Sequence, residues 1–318
     1  MAYPSYLDTY STGKLQEIAE ELFLSLKSCQ ICPRRCQINR LADKVGFCKT
    51  ARDLKVYSFM CHHGEEPPVS GDKGSGTIFF SHCNMSCAYC QNYEFSQLGK
   101  GRQYSFQELA EIMLQLQEEG CHNINLVTPT HVLPQILKSL QLAIPMGLTI
   151  PLVYNTSGYE LAEIIQLLDG IVDIYLSDSR YGDDRVAIEF SSAWGYVKFN
   201  QEALLEMHRQ VGVAQFTNRG LIKKGLIVRH LVLPNGVSAT GNIMRFIATE
   251  LSDETYISLM SQYLPYYKAS SYSRIKRRIT TQEYEEAKQI LKRYGLFNGW
   301  IQESYGQERF AGVNIRPI

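Results

Sequence analysis

The sequence lacks any net charge: 32 Lys and Arg balance 32 Asp and Glu in 318 residues. A generic nucleic-acid binder or a polybasic membrane-surface protein carries a basic excess, and an acidic tail carries the reverse. The balance argues against all three. No apolar run approaches the roughly 20 residues that span a bilayer. The opening Met-Ala-Tyr-Pro-Ser-Tyr has no basic stretch followed by an apolar one, so no signal peptide is read there. Internal repeats and low-complexity tracts are also missing. These absences point to a soluble, cytoplasmic protein with no nucleic-acid or membrane partner. Apolar residues at 45% and charged residues at 20% are ordinary globular values, and the length allows one large domain or two smaller ones.

Cysteine is what the sequence does have. There are nine, an odd number, in a chain expected to stay reduced, so a disulfide framework is not expected. Cys29, Cys32, Cys36 and Cys48 fall within twenty residues, and Cys83, Cys87 and Cys90 within eight. Cys61 and Cys121 stand alone. Clustering of this kind points to metal.

Residues 12–27 repeat apolar positions at helical spacing. From Gly76 onward, short apolar runs alternate with helical patterns. Strands are expected at 77–80, 124–127, 151–154, 172–176, 226–233 and 256–260. Ser105-Phe106-Gln107-Glu108 fits a capping box and opens the first helix, which ends near Gly120. Further helices are expected at 134–143, 159–168, 202–211 and 242–251, with a last one near 282–294. Six alternating βα units imply a parallel α/β sheet with right-handed crossovers. About 190 residues are too few for a complete eight-unit barrel of ~250, so a partial, open (β/α)6 TIM-like barrel is expected. Three parts follow: an N-terminal helix and four-Cys module at 1–75, the barrel at 76–265, and a C-terminal helical extension at 266–318.

The segment Cys83-Asn84-Met85-Ser86-Cys87-Ala88-Tyr89-Cys90 directly follows the first barrel strand, with spacing C-x3-C-x2-C. The C-terminal ends of barrel strands are where such folds place chemistry. Three thiolates can hold three irons of a 4Fe–4S cluster and leave the fourth open, whereas structural zinc closes itself with a fourth ligand.

This triplet, with an aromatic before its last cysteine, resembles the radical S-adenosylmethionine (SAM) superfamily. Gly74–Phe80, Cys90-Gln91-Asn92-Tyr93-Glu94, Asn123–His131, Tyr154-Asn155-Thr156-Ser157-Gly158-Tyr159 and Arg229–Pro234 narrow the resemblance to the branch like the pyruvate formate-lyase activating enzyme. It covers roughly residues 25–300. It implies that the open iron binds the amino and carboxylate groups of SAM. One electron then splits the sulfonium–C5′ bond, and the resulting 5′-deoxyadenosyl radical takes a hydrogen atom from a substrate. A flavodoxin or ferredoxin is the implied electron donor.

The resemblance also implies SAM-binding residues. The family's Gly-Gly-Glu-like motif is replaced here by Val127-Thr128-Pro129-Thr130, so Thr128 and Thr130 are candidates, with a plain strand-end turn as the alternative. Asn155 and Ser157 follow the third strand. Asp178-Ser179-Arg180 resembles an Asp-x-Lys motif, with Arg180 keeping the charge but changing its geometry. Arg229 lies in an apolar strand and needs an anion: the SAM carboxylate or an Asp or Glu. His230 is read as a satisfied core histidine. Tyr89 is expected near the adenine, with core packing as the alternative. Gln262, Tyr263 and His131 are candidates for the substrate end.

Cys29, Cys32, Cys36 and Cys48 suit structural zinc or an auxiliary 4Fe–4S cluster, with zinc slightly favoured and unbound thiols the bland alternative. Cys61-His62-His63 is a lesser candidate, substrate-facing or a stray ligand set, with simple packing as the alternative, and Cys121 is read as a small buried apolar residue. The basic run Arg274–Arg278 is read mainly as a solvated face. Two functions compete. One is a radical SAM enzyme acting on a protein glycine or on a small-molecule or peptide C–H bond. The other is a non-catalytic zinc-binding or Fe–S electron-transfer protein.

Overall fold

The computed structural model describes residues 4–302. Seven parallel strands form its centre: β2 (Ser75–Phe80), β4 (Ile124–Val127), β5 (Leu152–Thr156), β6 (Ile174–Asp178), β8 (Ile222–Leu231), β9 (Tyr256–Met260) and β10 (Gly299–Ile301). Every residue of β2, β4, β5 and β6 is buried. That is the pattern of parallel strands covered on both faces, and it explains why they read as continuous apolar runs. The expected partial TIM-like α/β arrangement is present.

Two differences concern the edges. β1 (Leu54–His62) and β3 (Arg102–Tyr104) add an antiparallel edge, giving the order β10-β9-β8-β6-β5-β4-β2-β1-β3. Residues 54–62 therefore belong to the main sheet, although they fall inside the N-terminal part expected from sequence. At the other edge β10 is a seventh parallel strand, inside the stretch expected to be helical. Residues 1–3 and 303–318 of the expected terminal parts lie outside the described residues. The two-residue β7 (Gln215–Phe216) pairs antiparallel with β8.

Helix Phe106–Glu118 starts at the expected capping box: the Glu108 N–H donates to Ser105 Oγ at 3.1 Å, and the Ser105 N–H to Glu108 Oε2 at 2.7 Å. Thr280 and Glu283 form a second such box before helix Thr281–Arg293. The helix expected at 159–168 is shorter, Ala162–Gln166, because Tyr159 and Glu160 turn into the core. Helix Asp184–Ser191 was not expected; it buries Val186, Ala187 and Phe190. Among the described residues no helix is long and apolar enough to cross a membrane.

One expectation about the isolated cysteines is corrected. Cys61 at the end of β1 is disulfide-bonded to Cys121, with Cα atoms 5.9 Å apart. Register decides it: Cys61 pairs with Gly76, and a Cβ at Gly76 would lie 3.3 Å from the Cys121 Cβ and 2.7 Å from the Asn123 carbonyl. The bare glycine lets the two thiols meet across the sheet edge.

Candidate metal and substrate site

The Cys83–Cys90 loop leaves β2 at its C-terminal end and is stitched down from two sides. Ser86 and Ala88 donate their N–H groups to the carbonyls of Ser191 and Phe190, at 3.0 and 2.7 Å. Lys268 donates to the Ala88 carbonyl at 2.8 Å. The unexpected helix Asp184–Ser191 thus serves as the loop's platform. The three sulfurs sit among donors. The Met85 N–H reaches Cys83 Sγ at 3.3 Å, Ser191 Oγ reaches Cys87 Sγ at 3.0 Å, and Ser96 Oγ lies 3.1 Å from Cys90 Sγ. Arg180 Nη1 donates to Cys87 Sγ at 3.2 Å. Burial, with the neighbouring sulfurs adding, pushes the Cys83 thiol up to about 12 and the Cys90 thiol to about 11. A metal that takes these sulfurs must displace their protons.

Cys90 opens onto a cavity of about 430 Å³ at the C-terminal ends of the strands. Strand register builds its floor in two rows. Phe79, Val127 and Asn155 are partners across β2, β4 and β5. Asp178, Arg229, Ser258 and Trp300 are partners across β6, β8, β9 and β10. A chain of alternating charge runs along the second row. Arg180 donates from Nε and Nη2 to Asp178 Oδ2, at 2.9 and 2.6 Å. Arg229 donates from Nε to Asp178 Oδ1 at 2.8 Å, from Nη1 to Glu65 Oε2 at 3.3 Å, and from Nη2 to Asn155 Oδ1 at 2.5 Å. Burial alone would raise Asp178, but Arg229 and Arg180 outweigh it and hold the carboxyl below its ordinary range. Burial pushes Glu65 and Glu66 up, and Arg229 opposes it.

The cavity brings together His62, Tyr89, Cys90, Asn155, Asp178, Arg180, Arg229 and Gln262 of the residues singled out in the sequence. Arg229 meets both of its anticipated kinds of structural partner, an Asp and a Glu. Other candidates do not line the cavity. Thr128 is held at φ +58 with its N–H on the Asn155 carbonyl. Thr130 donates its hydroxyl to Glu160 at 2.5 Å. Ser157 is buried, and its carbonyl accepts from Tyr196. Tyr263 is buried, donates to the Ile275 carbonyl and packs its ring 5.6 Å from Tyr89. His230 is buried and bonded at both nitrogens, to the Ser179 carbonyl and Thr240 Oγ1, as expected of a core histidine.

Glu65, Glu66 and Trp300 were missed. The stretch Gly64–Gly71 reads as a loop rich in turn residues, yet the Glu65 and Glu66 carboxylates turn inward. The available signal was an acidic pair set between a strand end and two prolines.

Cys29, Cys32, Cys36 and Cys48 line a second, much smaller cavity of about 10 Å³. Backbone turns shape it: the Cys29 N–H donates to the Ile38 carbonyl, and the Arg35 N–H to the Cys32 carbonyl, both at 2.9 Å. Gly46 is required here, because a Cβ would sit 2.9 Å from Cys36 Sγ. Arg40 is 1% exposed beside the four sulfurs. Its Nε donates to the Ala51 carbonyl at 3.1 Å, its Nη1 lies 3.7 Å from Cys29 Sγ, and its Nη2 has no partner. His131 lines this cavity rather than the larger one, with Nε2 2.8 Å from the Ser81 carbonyl. Among the described residues, neither cysteine group stands as a closed ligand set for a single ion.

The sequence model of the radical SAM superfamily matches residues 77–188, which span β2, the three-cysteine loop and the strands through β6. The chain is also 33% identical over 291 residues to the uncharacterized protein MJ0674 of Methanocaldococcus jannaschii, covering 88% of this chain and 78% of that protein. The chain belongs to the radical SAM superfamily. Among solved structures, this chain is similar to HydG, a maturase of the [FeFe]-hydrogenase, with a TM-score of 0.44 and 11% identity. That match covers 73% of this chain and 52% of HydG, so the chain spans about half of HydG's length. A superfamily of this kind uses a 4Fe–4S cluster and SAM. The three sulfurs fit such a cluster: Met85 N–H donates to Cys83, Arg180 and Ser191 donate to Cys87, and Cys90 lies beside Ser96 Oγ and opens onto the cavity.

Proposed function

We propose that this chain cleaves SAM reductively at a cluster held by Cys83, Cys87 and Cys90, and directs the product radical at a C–H bond of a substrate in the same cavity. Cys90 shares that cavity's wall with Tyr89, Asn155, Asp178, Arg180 and Arg229, and this placement carries the reading. When bound, the cluster supplies one electron and an open iron for the amino and carboxylate groups of SAM.

The chain's own residues bind, orient and exclude water. Phe79, Val127, Leu231 and Met260 give the wall an apolar lining that keeps reactive species from solvent. Asp178 stays ionised between two guanidiniums and offers fixed acceptors without moving a proton. Arg229 and Asn155 are locked to each other, so both present set directions to a ligand. Arg180 ties this polar row to Cys87.

The resemblance to the pyruvate formate-lyase activating enzyme-like branch supports, as the substrate class, a protein glycine or a small-molecule or peptide C–H bond. It supports a flavodoxin or ferredoxin as electron donor. For the N-terminal module we propose a second metal, zinc or an auxiliary 4Fe–4S cluster, on Cys29, Cys32, Cys36 and Cys48. The buried Arg40 supports this. A guanidinium out of water needs an anion, and no carboxylate pairs with it among the described residues. Four metal-held thiolates supply that charge.

The test is anaerobic reconstitution with iron, followed by SAM and dithionite and quantification of 5′-deoxyadenosine. Product is expected from the wild-type chain. A full iron complement without product, across added candidate substrates, overturns the proposal and leaves the non-catalytic electron-transfer reading.

A further inference from the structure

Along the cavity floor the charges alternate from Cys87 through Arg180, Asp178 and Arg229 to Glu65. Both guanidiniums are used up in this chain. Arg180 spends its nitrogens on Asp178 and Cys87, and Arg229 on Asp178, Glu65 and Asn155. Glu66 stands at the far end of the row. It lines the cavity and is 8% exposed, and its Oε2 has no hydrogen-bond partner. Two side chains favour its charge: Arg229, which hydrogen-bonds to Asp178, Glu65 and Asn155 rather than to Glu66, and Ser258, the register partner of Arg229. Three carboxylates therefore face two guanidiniums on one wall. His62 does not restore the balance, because burial and His63 hold it toward its neutral form.

Burial pushes the Glu66 carboxyl toward its protonated form, and the guanidinium that opposes this, Arg229, has its hydrogen bonds committed elsewhere, so a cationic ligand at the unpartnered Oε2 would favour the ionised form. The surroundings suit a cation. Trp300 lines the same wall, directly beyond Ser258, and an aromatic ring beside a carboxylate is a common receptor for an ammonium group. We propose that Glu66 is the docking point for a cationic group of the substrate, a primary ammonium or an amidinium, with Trp300 as its apolar neighbour. This rests on the cavity being the substrate site of the proposed reaction, and it narrows the substrate class to amines. SAM also carries an ammonium group, so the test must separate the two sources.

The chain has two tryptophans, and Trp194 is half exposed and outside the cavity lining, which includes Trp300. In a Trp194→Phe background, fluorescence reports on Trp300 alone. The cluster-loaded full chain is titrated anaerobically with butylammonium and, as the uncharged control, butanol. SAM affinity is measured separately by equilibrium dialysis. A saturable response to butylammonium but not to butanol is expected. Glu66→Gln should weaken butylammonium at least tenfold and leave SAM affinity within twofold, and Glu66→Asp, which keeps the charge on a shorter arm, should recover part of the loss. Unchanged circular dichroism melting shows that the variants fold. No saturable response in the Glu66 chain, or equal affinity in Glu66→Gln, overturns the proposal. A tenfold loss for SAM with amine binding intact overturns it too, by assigning the carboxylate to the cofactor. Because binding is read by fluorescence, its failure is distinct from a failure to form 5′-deoxyadenosine.

Discussion

Cys90 opens on a cavity of about 430 Å³, whereas the four N-terminal thiols enclose about 10 Å³. The positive charge beside each group differs in the same sense. Arg180 is shared between Cys87 and Asp178 and belongs to a polar row that a ligand can extend. Arg40 is sealed in, with a backbone carbonyl and sulfur as its neighbours. The backbone differs as well. The three-cysteine loop is held by other elements, Ser191, Phe190 and Lys268, while the N-terminal module is folded largely on its own turns. The same residue type thus stands in two settings, three cysteines beside an open polar cavity and four around a closed one with a captive guanidinium. The proposed roles, chemistry at the first and a staple at the second, rest on that difference.

The largest expected effect separates the two sites. Cys87→Ala should abolish 5′-deoxyadenosine formation while leaving the N-terminal metal at its wild-type stoichiometry by elemental analysis. Joint loss of both would merge the two sites into one. Arg40→Met strikes the closed site. Removing one member of a buried charge pair costs about 3–5 kcal/mol, so a marked fall in melting temperature and faster loss of metal to a chelator are expected, with the three-cysteine cluster intact.

Glu160 tests the joint between the two regions. It accepts from Thr130, next to His131 of the small cavity, and also from Thr156. The adjacent Tyr159 carbonyl accepts from Asn84 of the three-cysteine loop at 2.8 Å. Burial pushes the Glu160 carboxyl up to about 7 from an ordinary 4.5. A raised acid is most stable in its protonated form, so its contribution is complete below pH 4.5 and is lost as pH rises through 7. At about 1.4 kcal/mol per pKa unit the loss is about 3–4 kcal/mol. Glu160→Gln should flatten that part of the stability–pH curve, as read by denaturant melts between pH 4.5 and 8. An unchanged slope would remove Glu160 from the joint. The smallest effect concerns the open site. Arg180→Lys keeps the charge but loses the fork that binds Asp178 and Cys87 together. A loss of about 10–100-fold in SAM cleavage is expected, the range seen when support of a metal ligand is removed.

Much of this contrast was legible in the sequence because it lies in local spacing. The triplet at 83–90, the capping boxes at Ser105 and Thr280 and the buried parallel runs are written within a few residues each. What escaped depends on distant partners. β1 reads as part of the N-terminal part at 1–75 until β2 pairs with it, and only that pairing brings Cys61 to Cys121. Glu65 and Glu66 read only as part of a turn-rich loop until Arg229 and Ser258 arrive from strands about 165 and 190 residues later. Thr130 looked like a cofactor contact because its partner, Glu160, lies in a stretch that reads as helix.

The most direct test of the contrast is the electron paramagnetic resonance spectrum of the reduced, iron-loaded chain with and without SAM. An open iron at Cys83, Cys87 and Cys90 predicts a changed spectrum on SAM addition, with the change lost in Cys87→Ala and kept in Cys48→Ala. A spectrum indifferent to SAM, in a chain with its full iron complement, would contradict the account.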